Sequence, residues 1–416
     1  MINKIYSDYK KMERPILLAI IVEFFIQLVN ATFMNIQPLF MSKENYSDEQ
    51  IAGFISFRFL GVFLLAVPLG IFLKGKKMKG YFILSSILVP LFAFFIIYFV
   101  KEHNIFMIYV SQFLWGASFT FMQIPIIPFI LRNSSSENHT AGIALSYSTW
   151  SFAGIFSGII IAVLEFVNPV FFNEQTVLII FSILGLLGIW VATKIRLEEN
   201  TYYEKKSTIK NTNNYDWWLI FKALIPTLII ATGAGLTIPF ISLFFDKVHH
   251  LSMGGFSIIS SIAAVLVAWG ALAVPVIKRT IGYKIAIPTT QAFAVISLVA
   301  LATTQYYSQM SIALIIAIVC YLLRQPLMNM AGPMTSEIVM NYVGKKNQEI
   351  VSALTSAIWS GSWFISGLMV KIMFGEGLKF VNIFLITSAM YAVGVVWYYF
   401  LILDYNKREE SGLIEK

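Results

Sequence analysis

An all-α membrane protein, with 12 transmembrane helices in two pseudo-symmetric six-helix bundles, is the fold class this sequence predicts. Three observations predict it. Of the 416 residues, 58% are hydrophobic and 12% charged, whereas about a quarter of a soluble domain is charged. Uncharged runs such as 83–100 and 285–304 are long enough to cross a hydrocarbon core ~30 Å thick as helices rising ~1.5 Å per residue. Residues 138–158 (NHTAGIALSYSTWSFAGIFSG) also align without a gap with residues 347–367 (NQEIVSALTSAIWSGSWFISG), at an offset of 209 and with seven of 21 positions identical. The identities pair Asn138 with Asn347, Ala144 with Ala353, Leu145 with Leu354, Trp150 with Trp359, Ser151 with Ser360, Ser157 with Ser366 and Gly158 with Gly367.

Taken in order, the spans are expected near 15–40, 51–73, 81–100, 105–131, 142–166 and 176–194, then 217–244, 253–277, 285–305, 310–340, 350–373 and 380–403. Between the sixth and seventh, RLEENTYYEKKSTIKNTNNYD is polar and poor in aliphatic residues, as suits a flexible linker. The organisation is therefore an N-terminal six-helix bundle (1–195), a cytoplasmic linker (196–216) and a C-terminal six-helix bundle (217–416). Pro38 and Pro68 in the first half have apparent counterparts in Pro239 and Pro275.

The net charge of +8 does not point to nucleic acid, because the basic residues follow topology. They crowd the loops after the even-numbered spans: Lys74, Lys76, Lys77 and Lys79, then Lys205, Lys206 and Lys210, then Lys278, Arg279 and Lys284, then Lys345 and Lys346. The opposite loops hold little beyond Lys43, Lys101, Lys247 and Lys379. By the positive-inside rule both termini are cytoplasmic, in a multi-pass protein of the cell's inner (plasma) membrane. The basic first stretch runs into a span too long for a cleavable signal and carrying Glu23, so the first helix is expected to target itself.

One cysteine, Cys320, excludes an internal disulfide. The sequence holds no phosphate-cradling loop, no metal-ligand spacing and no nucleophile beside a base, so no enzyme activity, cofactor or metal is expected. His103, His139, His249 and His250 are read as loop residues.

Two six-helix halves, a central cytoplasmic linker and basic loops after spans two and eight resemble the major facilitator superfamily, over nearly the whole chain. That family's loop motif is best matched by Gly270, Pro275, Lys278, Arg279, Gly282 and Lys284. The first copy, PLGIFLKGKKMKG, keeps Gly70 but has Lys74 about where an aspartate is usual. Gln112 stands four residues before Gly116, where drug–proton antiporters of the family tend to carry arginine, and Gly154 is followed by Ile155 rather than proline. The resemblance implies a secondary transporter whose two bundles rock about a central cavity, with Gly70, Lys278, Arg279, Gly282 and Lys284 in gating or structural roles. An aromatic content of 15% with few polar anchors in the spans suits a small amphipathic organic solute or metabolite as substrate; protons and the lipid bilayer are the further partners expected, and a monomer. Export is the leading direction. Uptake of a nutrient or organic anion is the alternative, with a lipid flippase and a non-transporting sensor as two others.

An ionised side chain deep in a span costs ~2.5–3.5 kcal/mol on insertion scales, so each one needs a reason. Glu23, Arg58 and Arg324 are the deep ones. Glu23 is the expected proton-coupling residue, against a rival reading in which it is a permanent ion-pair partner. Arg324 opens RQPLMNMAGPM, where Pro326 and Pro333 are expected to break the helix and where Arg324, Gln325 and Asn329 would face substrate. Its planar donor fork suits an anionic group, and the two charges are placed to face one another across the halves. Arg58 is assigned a structural or gating role. Among the polar residues Gln27, Asn30, Asn35, Gln37, Gln112 and Gln123, substrate contacts are expected from Gln27, Asn30 and Gln123. Trp150 and Trp359, as repeat equivalents, are read as packing landmarks.

Overall fold

The computed structural model describes residues 12–73, 76–135, 139–197, 215–344 and 347–411. Among them 12 helices are long and apolar enough to cross a membrane: Arg14–Lys43, Asp48–Gly70, Lys79–Lys101, Ile105–Ile130, Leu145–Val167 and Glu174–Thr193, followed by Trp217–His249, Met253–Gly270, Thr280–Tyr307, Ser311–Val343, Leu354–Gly375 and Phe380–Glu410. Each overlaps the span expected from hydropathy, and they are numbered one to twelve below. Most of the expected linker, 198–214, lies outside the described residues.

The chain separates into two compact units, Met1–Ser47 with Phe57–Lys210 and Asp48–Ser56 with Asn211–Lys416. In the first unit, span one packs against spans five and six, and span three against spans four and six. Two glycines bring spans two and four together: a methyl group on Gly116 would strike the Arg58 carbonyl oxygen, and one on Gly61 the Phe113 carbonyl oxygen. Helices touch backbone to backbone in this way only where small residues line both faces. Ion pairs close one end of the unit, Lys43 to Glu174 at 2.6 Å and Lys101 to Glu44 at 2.7 Å.

In the second unit span seven packs against spans eleven and twelve, and the helical stretch through spans eight and nine packs against spans ten and twelve. This unit also takes in the opening turns of span two. There Ser56 presses on Gly367, leaving no room for a side chain, and Asp48 pairs with Lys247 at 2.5 Å. Small residues of span eleven are used in packing: Ser366 Oγ donates to the Thr232 carbonyl at 2.7 Å, and its Cβ lies 2.7 Å from where a methyl on Gly235 would sit.

The backbone breaks at other places than the sequence suggested. Span ten is one continuous helix, Ser311–Val343, with Pro326 and Pro333 inside it. A proline removes one N–H and pushes on the carbonyl four residues back, which tilts a helix without having to unwind it when neighbours hold it. The interruptions fall in span four, where the helix Ile105–Gln123 stops before Pro125 and resumes as Ile126–Asn133, and in span seven. In span seven Trp217–Thr237 passes through a 3₁₀ turn at Ile238–Phe240 into Ile241–His249. Pro239 sits in that turn, whereas its expected counterpart Pro38 lies inside an uninterrupted helix. His249 is also not a loop residue: it is buried at the end of Ile241–His249, 2.9 Å from Thr304 Oγ1.

Gly282, expected in the loop after span eight, turns the chain between spans eight and nine with φ 67° and ψ 169°. That backbone region is essentially closed to residues with a Cβ. Gly80, at the start of span three, does not have a positive φ but, like Gly282, has open space around a would-be Cβ. Gly282→Ala is therefore expected to lower stability by about 1–3 kcal/mol, and Gly80→Ala to change it by less than about 0.5 kcal/mol. Thermal unfolding of the detergent-solubilised protein measures both.

Candidate functional site

The second unit contains a cavity of about 200 Å³ whose wall is drawn from spans seven, nine, ten, eleven and twelve. Span ten supplies Arg324, Gln325 and Asn329, as the sequence suggested. Arg324 is 1% exposed. Its Nη2 donates to the Tyr391 hydroxyl at 3.2 Å and its Nη1 reaches Gln325 Oε1 at a long 3.4 Å, with the guanidinium 5.8 Å from the Tyr391 ring centre. Its Nε–H has no hydrogen-bond partner. Tyr391 can stand beside the arginine because span seven offers Gly233 there; a methyl on Gly233 would lie 2.9 Å from the tyrosine ring.

Several cavity residues were not singled out in the sequence. Gln291, 3% exposed, lies in the run read simply as uncharged, and its Oε1 is buried without a partner. The Tyr398 hydroxyl and Thr227 Oγ1 form a hydrogen bond of 3.0 Å in the same wall. Trp359, read as a packing landmark, instead lines the cavity and is 40% exposed. The Asn329 amide is turned back onto the Gln325 carbonyl at 2.8 Å.

The first unit holds the other two deep charges. Arg58, 2% exposed, is enclosed by neutral acceptors: Nε donates to Gln112 Oε1 at 3.2 Å, Nη2 to Gln37 Oε1, and Nη1 to Met34 Sδ at 3.6 Å. The Trp115 ring completes the enclosure, 4.3 Å from the guanidinium carbon and stacked on Phe33 and Phe119. Gln112, at the position where the family's antiporters tend to carry arginine, thus serves an arginine from span two.

Glu23, 6% exposed, accepts a 2.6 Å hydrogen bond from the Ser146 hydroxyl of span five. Among the described residues of its unit, no cationic nitrogen lies within 4 Å of this carboxyl, Arg58 included. Gln27 and Asn30, one and two turns further along, bond each other at 3.3 Å, while Gln123 is exposed at the end of its helix. The suggested site residues therefore fall into an acid-bearing set in the first unit and a cationic set in the second. Of the suggested gating residues, Gly70 and Lys284 are exposed and Gly282 forms the turn described above; the side chains of Lys278 and Arg279 lie outside the described residues. No group of three metal-ligating side chains occurs among the described residues.

Twelve membrane-length helices among the described residues, with buried charges and a solute-sized cavity, have the architecture of a membrane transporter. The chain belongs to the Major Facilitator Superfamily, whose sequence model matches residues 19–367. Solved structures share the fold over almost the whole chain. A bacterial homolog of the human lysosomal transporter Spinster, inward-facing and unoccupied, matches with 12% identity and a TM-score of 0.69, over 94% of this chain and 97% of that one. The nucleoside transporter NupG matches with 12% identity and a TM-score of 0.73, over 94% and 99%. The D-xylose-proton symporter matches with 12% identity and a TM-score of 0.71, over 92% and 95%. No curated protein sequence matches the chain.

The enclosure of Arg58 has a measurable consequence. Gln112→Leu removes the acceptor for Nε and leaves a buried charged donor alone, an expected loss of about 1.5–3 kcal/mol. Gln112→Glu keeps an acceptor there and adds the missing opposite charge, so it is expected to melt at or above the wild-type midpoint. Thermal denaturation of the two purified variants decides the matter.

Proposed function

We propose that this protein is a proton-coupled secondary transporter that moves a small amphipathic organic solute by alternating access, binding the solute in the Arg324 cavity and the proton at Glu23. The observation that carries the reading is the Glu23 carboxyl: buried, unpaired with any cation among the described residues of its unit, and held by one neutral hydroxyl. A carboxylate in such a place has no fixed neighbour to neutralise it, so its protonation follows the access of water. That is the property a proton carrier needs when a cavity opens to one face and then the other. Proton coupling in a protein of the same fold, the D-xylose-proton symporter, supports the reading by analogy only.

The direction taken is export. Both termini are placed in the cytoplasm because lysine and arginine crowd one set of loops; a monomer in the plasma membrane is part of the same proposal. Gly70 at the end of span two, and Gly282 and Lys284 at the turn into span nine, are assigned gating or structural roles, and Gln27, Asn30 and Gln123 the solute path of the first unit.

Proteoliposomes under an imposed pH gradient, read with a pH-sensitive dye while organic anions, cations and neutral metabolites are added, test the proposal. The expected result is solute-triggered proton movement in the wild type and background movement in Glu23→Gln, with solute exchange still measurable in the variant. Full proton-coupled transport by Glu23→Gln removes Glu23 from the role. Solute flux without proton movement in the wild type replaces proton coupling by facilitated diffusion or another ion. Vesicles of opposite orientation distinguish export from uptake.

A further inference from the structure

The unsatisfied atoms in the wall of the second-unit cavity describe the molecule that would satisfy them. Arg324 presents an N–H donor with no acceptor, and Gln291 presents an amide oxygen with no donor. Both side chains are more than nine-tenths buried, and both line the same cavity. Leaving a buried polar atom unpaired costs ~1–3 kcal/mol, more when it is charged, so a ligand that answers both atoms gains what the side chains of the wall do not supply.

The charge of the wall narrows the class. Among the described residues that line the cavity, Arg324 is the single ionisable cation and no aspartate or glutamate is present. A cationic solute would meet an arginine and no counter-charge. A dianionic phosphate would leave one charge unanswered, and the ammonium of a zwitterion would find only neutral oxygens. A monoanion neutralises the guanidinium one for one. Trp359 and the rings of Tyr391 and Tyr398 give the remainder of the ligand an apolar, aromatic wall, the usual surrounding of an organic solute held by few polar anchors.

Building on the transport reading above, we propose that the solute is a small organic monocarboxylate that also carries a neutral hydrogen-bond donor such as a hydroxyl, its carboxylate on Arg324 and its donor on Gln291 Oε1. The weak 3.4 Å contact from Arg324 Nη1 to Gln325 can give way to a ligand oxygen, so that a carboxylate takes two donors of the fork. Lysine cannot reproduce this, since it offers a point charge and no second edge.

Binding without flux tests the ligand class separately from transport. The midpoint of thermal unfolding of purified wild type is recorded with lactate, mandelate and 4-hydroxybenzoate, each beside its methyl ester and its primary amide, and with phenylacetate as the deoxy partner of mandelate. At least one hydroxy acid is expected to raise the midpoint saturably while its ester and amide do not, with mandelate outperforming phenylacetate. Arg324→Lys is expected to weaken acid binding about tenfold or more, and Gln291→Leu to weaken mandelate about two- to tenfold while leaving phenylacetate as it was.

The proposal fails if none of the acids stabilises the protein, if esters and amides stabilise it as well as the acids do, or if Gln291→Leu keeps the full preference for mandelate. Should Arg324→Lys not fold, the comparison of acid with ester on the wild type still decides. Acid-specific stabilisation with no flux in proteoliposomes upholds the ligand class and overturns the transport reading; flux of a cation with no acid-specific stabilisation does the reverse.

Discussion

A charge inside an apolar helix bundle has to be answered by its immediate neighbours, and the way each deep charge here is answered separates scaffold from site. Arg58 is answered in full by two glutamine oxygens, a thioether and an indole face, all from its own unit. Each of its three guanidinium nitrogens already has a partner, as a structural role requires. Arg324 is answered by a tyrosine hydroxyl and a distant amide, with Nε unpartnered in a side chain that lines a cavity. Glu23 has one hydroxyl. Burial alone does not distinguish the three, since all are under a tenth exposed; the count of satisfied atoms does.

Close packing is what delivers those neighbours. The Arg58 carbonyl rests on Gly116, and Gly116 lies one residue from Trp115, so the same contact that brings spans two and four together sets the indole under the guanidinium. Gly233 does the same for Tyr391, whose hydroxyl then reaches Arg324. A methyl group at either glycine would move an aromatic ring off a buried cation. In this molecule small residues on one helix fix the electrostatics of another.

The spans were legible because twenty or so apolar residues in a row are a local property, and the repeat and the loop lysines are local too. Glu23, Arg58 and Arg324 could be picked out for the same reason: a charge is conspicuous in an uncharged run. Their partners could not. Ser146 lies 123 residues from Glu23, Tyr391 67 from Arg324 and Gln112 54 from Arg58, distances along the chain that hydropathy does not bridge. Gln291 passed unnoticed because one neutral amide barely alters the hydropathy of its span, yet its unpaired oxygen helps to define the cavity. Pro326 and Pro333 misled for the opposite reason: proline is conspicuous, but whether it breaks a helix depends on what packs around it.

The internal repeat adds a last constraint. Its identical residues include Ser157 with Ser366 and Gly158 with Gly367, all four buried, so what the halves share is the packing of one helix against its neighbours. Carried forward without a gap, the same offset of 209 sets Glu23 over Thr232 and Arg324 over Trp115. Neither ionisable group then has an ionisable counterpart. The shared residues build two similar scaffolds, and the acid and the open arginine are departures from that symmetry, one in each unit. A structure whose two halves did the same chemistry would be expected to repeat its charges along with its glycines. Here the charges are what differ, which is why the proton is assigned to the first unit and the solute's anionic group to the second.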